Sequence, residues 1–208
     1  MEKLRNSVEK EDKVIQKLEY IKKLPIQRYV GRHIDMQELK YEEDYLDLYG
    51  LINDEEDFSH LVRRRFHKAE NFEDFKTQIK NWFKEDINFI FVIKDKEEKP
   101  IGTSILYNLN PIKNEIKSSL FLEKESRNSK KTIESYIAIL KFIVQILKID
   151  TLKYSVYKDN DYILNMYKKI LKDTKEKVDT NAEFETFSLN KEVLFDLIKR
   201  LESILDKN

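Results

Sequence analysis

Apolar residues recur along this chain with two periods, and the changes between them mark its elements. Residues 2–24 carry Leu4, Val8, Ile15, Leu18 and Ile21 near one face at helical spacing among many Lys and Glu, and Pro25 marks the end of that helix. A short strand is expected around Tyr29 to Met36. Tyr41 to Ile52 and Asp57 to Arg65 read as helices broken at Gly50 and Asn53. Phe72 to Phe83 is another helix, with Phe72, Phe75, Ile79 and Phe83 on one side. The pattern then turns to β. Ile87–Ile93 is a short run of β-branched and aromatic residues, Ile101 to Leu109 is a second strand containing Gly102, and Glu115 to Leu122 a third. Charged or Pro-containing turns separate them, giving a three-stranded meander. From Thr132 to Lys148 nearly every position is apolar except Glu134, Lys141, Gln145 and Lys148. They share one helical face, so the spacing predicts a helix buried on its other sides with those four toward solvent. Leu152 to Tyr157 alternates as a strand, and Asp161 to Leu171 is helical. Lys175–Thr180 and Glu183–Leu189 form a candidate hairpin around Asn181. Lys191 to Leu205 is an amphipathic helix with Leu194, Leu197, Ile198, Leu201 and Leu205 on one face.

This order predicts an α+β fold: a mixed, mainly antiparallel sheet of about six or seven strands flanked by helices. A single domain over 1–208 is expected, with residues 1–25 as a helical extension, 30–190 as the core and 191–207 as a C-terminal helix. A strand following the meander and its helix can lie parallel to the last meander strand. Two such neighbours can splay and leave a cleft, and a helix N-terminus beside that cleft offers N–H groups and a positive dipole end suited to a pyrophosphate.

Composition narrows the classes. Acids and bases balance at 39 each, whereas a nucleic-acid or polybasic membrane binder would lean basic. No cysteine is present, which removes disulfides, thiolate catalysis and cysteine-ligated zinc. No apolar run approaches the roughly 20 residues needed to span a bilayer, and the charged start does not read as a signal peptide. The expectation is a soluble cytoplasmic protein, with nucleic acid and membrane disfavoured as partners.

Three segments carry a resemblance to a known family. They are FIFVIKDKEEKPIGTSILYNL, with Pro100, Ile101 and Gly102 opening its second strand; SSLFLEKESRNSKKTIESYIAIL; and LKYSVYKDNDYILNMYKKI, a strand followed by Asn160 and, seven residues on, Tyr167. Over residues 30–190 the chain resembles the GNAT acetyltransferases, nearest the branch of ribosomal-protein N-terminal and aminoglycoside-type enzymes. That resemblance implies transfer of an acetyl or other short acyl group from acetyl-CoA to a primary amine. Backbone groups of Leu120 and Leu122 would pair with the pantetheine arm, and Arg127, Asn128, Ser129, Lys130, Lys131 and Thr132 would cradle the pyrophosphate. Asn160 would hold the cofactor across the cleft, and Tyr167 would protonate the departing thiolate. The two small positions of the family's loop are occupied here by Lys130 and Thr132, so two readings stand: a divergent enzyme in which Lys130 and Lys131 supply charge to the phosphates, or a catalytically silent member that binds a partner.

Other residues fit bland roles as well as chemical ones. Glu115 opens the cofactor strand and is the candidate general base, although a strand-end Glu is ordinarily solvated. Arg63, Arg64 and Arg65 form the densest basic run, which reads as a solvated surface or as a contact for an acidic substrate or RNA. His60 and His67 are seven apart, whereas helical zinc pairs want a spacing nearer four, and no metal site is expected. Gly102 marks a bulge or a close backbone contact. The apolar stripes of the terminal helices can pack on each other, on the sheet or on a second copy, which leaves a homodimer open.

Overall fold

The computed structural model describes residues 12, 14–40, 44–53, 69–85, 87–127, 129–161, 164–165, 168, 177–180 and 183–207. Residues 14–22 are helical (α1). They are followed by β1 (Arg28–Val30), β2 (Ile34–Glu38), α2 (Asp44–Asn53), α3 (Phe72–Glu85), β3 (Ile87–Asp95), β4 (Pro100–Asn110) and β5 (Glu115–Leu122). Next come α4 (Lys130–Lys141), a π-helical segment (Phe142–Ile146) and β6 (Thr151–Tyr157). Asp161, Leu164, Asn165 and Lys168 are helical, and β7 (Lys177–Thr180), β8 (Phe184–Asn190) and α5 (Lys191–Lys207) complete the series.

The strands form one eight-stranded sheet in the order β1-β2-β3-β4-β5-β6-β8-β7. Every pairing is antiparallel except β5 with β6. The mixed, mainly antiparallel α+β architecture is therefore the one the pattern predicts, with one more strand than the upper expectation. The extra strand comes from 29–36, which is not one strand but the β1–β2 hairpin, with Gly31 between. A Cβ on Gly31 would stand 2.6 Å from the carboxyl carbon of Glu134, so a side chain there would displace that carboxylate. At Gly102 a Cβ would collide with the Phe121 carbonyl and the Leu122 side chain, so β4 and β5 approach closely at the Gly102–Leu122 rung.

Strand alternation sends each side chain to one of two layers. Ile116 and Leu122 of β5 and Leu152, Tyr154 and Val156 of β6 join Ile137, Leu140 and Ile143 of the helical stretch and Leu194, Leu197 and Leu201 of α5 in the larger core. On the opposite face Leu48 of α2 and Phe75, Ile79 and Trp82 of α3 cover Ile90, Val92, Ile105 and Phe121. The C-terminal helix thus packs on the sheet and α4. Helix α1 docks at the end of the π segment, where Tyr20 Oη donates to the Ile146 carbonyl at 2.8 Å and Lys17 Nζ to the Leu147 carbonyl at 2.5 Å.

Glu134 departs from the sequence expectation. It is 2 % exposed and does not face solvent. Its carboxylate accepts the backbone amides of Arg32 (2.8 Å), His33 (2.6 Å) and Ile34 (3.1 Å), with the Tyr29 hydroxyl at 3.5 Å. The β1–β2 turn needs acceptors for these amides, and a long carboxylate from the adjacent helix supplies them. Helical periodicity carries no signal for that, because a polar residue looks the same on a solvated face as under a turn.

Glu134→Ala leaves buried amides unpartnered, and we expect it to lower the unfolding free energy by about 3 kcal/mol, read by urea denaturation. The Tyr29 phenol is pushed up from 10.0 to about 12, first by burial and then by the Glu134 charge. Its protonated form is therefore favoured in the folded state. Its contribution to stability is complete below pH 10 and lost as pH rises through 12. Tyr29→Phe should flatten that alkaline decline.

Candidate active site

The parallel pairing of β5 and β6 covers Glu115–Thr151, Ile116–Leu152 and Lys117–Lys153, and then stops. Both strands continue, β5 to Leu122 and β6 to Tyr157, each held along its outer edge by an antiparallel neighbour. The result is a V-shaped gap. Its closed end is stapled by Asn114, whose carbonyl accepts the amides of Asp150 (3.1 Å) and Thr151 (3.2 Å) and whose Nδ2 donates to Asp150 Oδ2 at 2.7 Å. Asn114 has φ 49°, a left-handed conformation that asparagine tolerates better than most residues.

Three contacts fix which peptide groups of β5 face the gap. The Ser119 carbonyl accepts from Ser104 Oγ at 3.1 Å, the Phe121 carbonyl abuts Gly102, and the Glu123 amide donates to the Ile101 carbonyl at 2.8 Å. The odd-numbered groups therefore point to β4, and alternation turns those of Ser118, Leu120 and Leu122 toward the gap. The two leucines expected to pair with a strand-like ligand have the required orientation. The Leu122 carbonyl is already engaged by Arg127 Nε at 2.8 Å.

Beyond the open end the chain passes through a 3-10 turn (Lys124–Ser126) into α4. Ser129 is the N-cap residue, with extended backbone and no side-chain capping bond. Its hydroxyl instead donates to the Ser126 carbonyl at 2.5 Å, and Thr132 Oγ1 donates to that carbonyl at 2.9 Å. Both hydroxyls are drawn back into the preceding turn, so among the described residues no side-chain hydrogen bond caps the first amides of α4. Lys131 does not reach forward: its Nζ lies 3.2 Å from Asp95 Oδ2. Burial would raise the Asp95 pKa, but the hydrogen bond from Lys131, those from the amides of Glu97 and Lys99, and the Lys131 charge together hold it below its ordinary value. Lys130 is half-buried in the first turn of α4.

Asn160 lies where β6 gives way to helix. Its amide donates to the Tyr157 carbonyl at 3.0 Å, and its carbonyl accepts the Leu164 amide at 3.0 Å. Glu115, at the closed end, pairs with Lys153 at 2.7 Å. Tyr167 and Asn128 lie outside the described residues, as do His60, His67 and Arg63, Arg64 and Arg65. Among the described residues no group of three or more His, Cys, Asp or Glu could hold a metal, and no helix is long and apolar enough to cross a membrane.

Sequence reasoning passed over Ser118. It is 3 % exposed on the α4 side of the sheet, in the first position after the last β5–β6 rung, and its Oγ has no hydrogen-bond partner among the described residues. Directly across the gap on β6 is Tyr154, also buried, whose phenol is pushed well above its ordinary range by burial and then by Tyr136. A buried hydroxyl without a partner costs about 1–3 kcal/mol. The available signal was a serine on the inward face of a strand whose neighbours there are Ile116 and Leu120.

The sequence matches no protein-family model and no curated protein. Solved structures do share the fold. A GCN5-related N-acetyltransferase from Brucella melitensis superposes with a TM-score of 0.70 at 14% identity, over 88% of this chain and 87% of that one. A probable acetyltransferase of the GNAT family from Chromobacterium violaceum gives 0.66 at 14%, over 84% and 90%. The spermidine N-acetyltransferase of Vibrio cholerae, solved with CoA and spermine, gives 0.62 at 13%, over 78% and 98%. The chain therefore has the fold of the GNAT acyl-CoA acyltransferases.

Because Ser118 Oγ has no partner, we expect Ser118→Ala to keep or raise the unfolding free energy, by at most about 1 kcal/mol. A loss larger than that in chemical denaturation would show that the folded chain does provide a partner.

Proposed function

We propose that the protein transfers an acetyl or similar short acyl group from acyl-CoA to a primary amine. The observation that carries this reading is the early end of the β5–β6 ladder. It turns unpaired strand edge toward a gap that opens on an uncapped helix N-terminus. A pantetheine arm has amides that can pair with a strand edge, and a pyrophosphate suits helix amides and the positive dipole end. Ser118 offers a buried hydroxyl beside the same gap. The lack of glycine in the loop is compatible with this, since Ser129 and Thr132 are tied back to the Ser126 carbonyl.

Acyl-CoA would supply the thioester. The peptide groups of Ser118 and Leu120 would align the arm, and the Leu120 amide would donate to the acyl oxygen as negative charge develops there. The amide groups of Lys130, Lys131 and Thr132, flanked by Arg127, Asn128 and Ser129, would hold the pyrophosphate. The amine nitrogen bonds to the acyl carbon as the carbon–sulfur bond breaks. Glu115, directly or through water, would take the amine's proton, and Tyr167 would give one to sulfur. Asn160 would steady the cofactor from β6. Holding amine and thioester in one cleft supplies much of the rate.

One observation favours a silent, partner-binding protein of this fold: Arg127 and Lys131 are both engaged internally. Calorimetric titration with acetyl-CoA and CoA separates the readings. The enzyme reading expects a Kd in the micromolar range, about −8 kcal/mol, weakened five- to tenfold in Ser118→Ala. No binding at millimolar cofactor would overturn it. With an acceptor in hand, Tyr167→Phe should cut kcat about a hundredfold or more at unchanged CoA affinity; wild-type turnover would remove Tyr167 from its role.

A further inference from the structure

We infer that the amine acylated by this protein carries an anionic group, a carboxylate or a phosphate, held by Lys117 on the sheet face opposite α4. This rests on the acyltransferase reading above.

The two faces of the sheet differ sharply around the gap. On the α4 face β5, β6 and β8 present Ile116, Leu152, Tyr154, Val156, Phe187 and Leu189, all buried. On the other face the same strands present Glu115, Lys117 and Ser119, then Lys153, Ser155 and Tyr157, then Phe184, Thr186 and Ser188, polar beside the last rung and closed farther along by the Tyr157–Phe184 ring pair at 4.3 Å. Among the described residues, the smaller core that covers this face over β2–β5 includes no residue of β6 or β8. An acceptor meeting a thioester in the gap from this side therefore lies against a half-buried polar floor.

The charges of that floor are unbalanced. Lys117 and Lys153 are direct partners across the last rung before the gap, and like charges opposite one another on a sheet are destabilising. Glu115 neutralises Lys153 at 2.7 Å. Lys117 is half-buried, yet it has no ion pair or side-chain hydrogen bond among the described residues. A lysine facing another lysine is repelled by it, and an anion on the acceptor would answer the charge that Glu115 leaves over. The surroundings suit one: Ser119 is two residues along β5, and the Ser155 and Thr186 hydroxyls stand 3.0 Å apart. The opposite specificity is poorly served. A polyamine needs several carboxylates; among the described residues β5, β6 and β8 place one on this face, Glu115, which is paired with Lys153, and β7 adds Asp179 beyond Thr186 together with Lys177.

The test measures initial rates with acetyl-CoA and four amines. Glutamate offers carboxylates, O-phosphoethanolamine and glucosamine 6-phosphate offer phosphate, and spermidine offers no anion. The expected result is turnover of the carboxylate or the phosphate amines, whichever source is correct, in preference to spermidine. Lys117→Met should raise KM for that amine tenfold or more, with CoA affinity as in wild type, and Lys117→Arg should restore it. Preference for spermidine, or a KM that ignores Lys117→Met, overturns the inference. If CoA does not bind at all, the transferase reading has failed on its own. Titrating O-phosphoethanolamine and glutamate into wild type and Lys117→Met then decides the anion site. Binding lost in the variant supports it; equal binding, or none to either protein, overturns it.

Discussion

The site depends on a competition between hydrogen-bond ladders. β5 is drawn to β4 as far as the Gly102–Leu122 rung, and β6 to β8 from Thr151 to Tyr157. Their mutual parallel pairing lasts only from Glu115 to Lys117. Adjacent strands twist relative to one another, so two strands each bound along its outer edge are carried apart once nothing holds the inner edge. Asn114 ties the closed end, and the close approach at Gly102 holds β5 to β4 at the far end. A gap with fixed ends, along which β5 and β6 form no ladder with each other past Lys117 and Lys153, follows from these constraints without any special loop.

What lies beyond that gap depends on how α4 is aimed. Helix and hairpin are joined by Glu134, which satisfies the β1–β2 turn from one turn inside the helix, while Lys131 ties the first turn of α4 to Asp95 at the end of β3. Two carboxylate contacts on neighbouring strands thus set the rotation of α4 and the direction of its uncapped end. A buried carboxylate with several backbone donors is a geometric device as much as a stabilising one. It fixes one orientation, because no other leaves those amides satisfied.

The sequence revealed most of the architecture, because its β segments announce themselves by period and composition. The meander, the strand at Leu152–Tyr157 and the terminal hairpin all lie within a few residues of their expected places. The short hairpin at 28–38 was read as one strand, since β1 has only three residues and its turn is made possible by a helix more than a hundred residues away. The site was legible in outline. Leu120 and Leu122 turn peptide groups toward the gap and Ser129 is the N-cap residue of α4; the binding roles that the resemblance implies for them belong to the proposal. The loop lysines illustrate what a linear motif omits: Lys131 has Asp95 as a partner because β3 happens to end beside α4. Ser118 escaped notice because burial without a hydrogen-bond partner is a property of the assembled fold.

The last rung before the gap brings the chemistry of both faces to one place. Ile116 and Leu152 close the floor on the α4 side with apolar contact, so the region where a thioester would lie is dry on that side. One residue later in each strand, Lys117 and Lys153 face the other way. Parallel register places them side by side, and among the described residues Glu115, the carboxylate beside them, answers only Lys153. A structure selected for stability alone would not be expected to keep a half-buried lysine opposite another lysine. Local conflicts of this kind concentrate where a site serves a ligand. The same strand pairing that stops early and opens the gap therefore leaves, among the described residues, a lysine without a counter-ion at the point where the proposed second substrate would arrive.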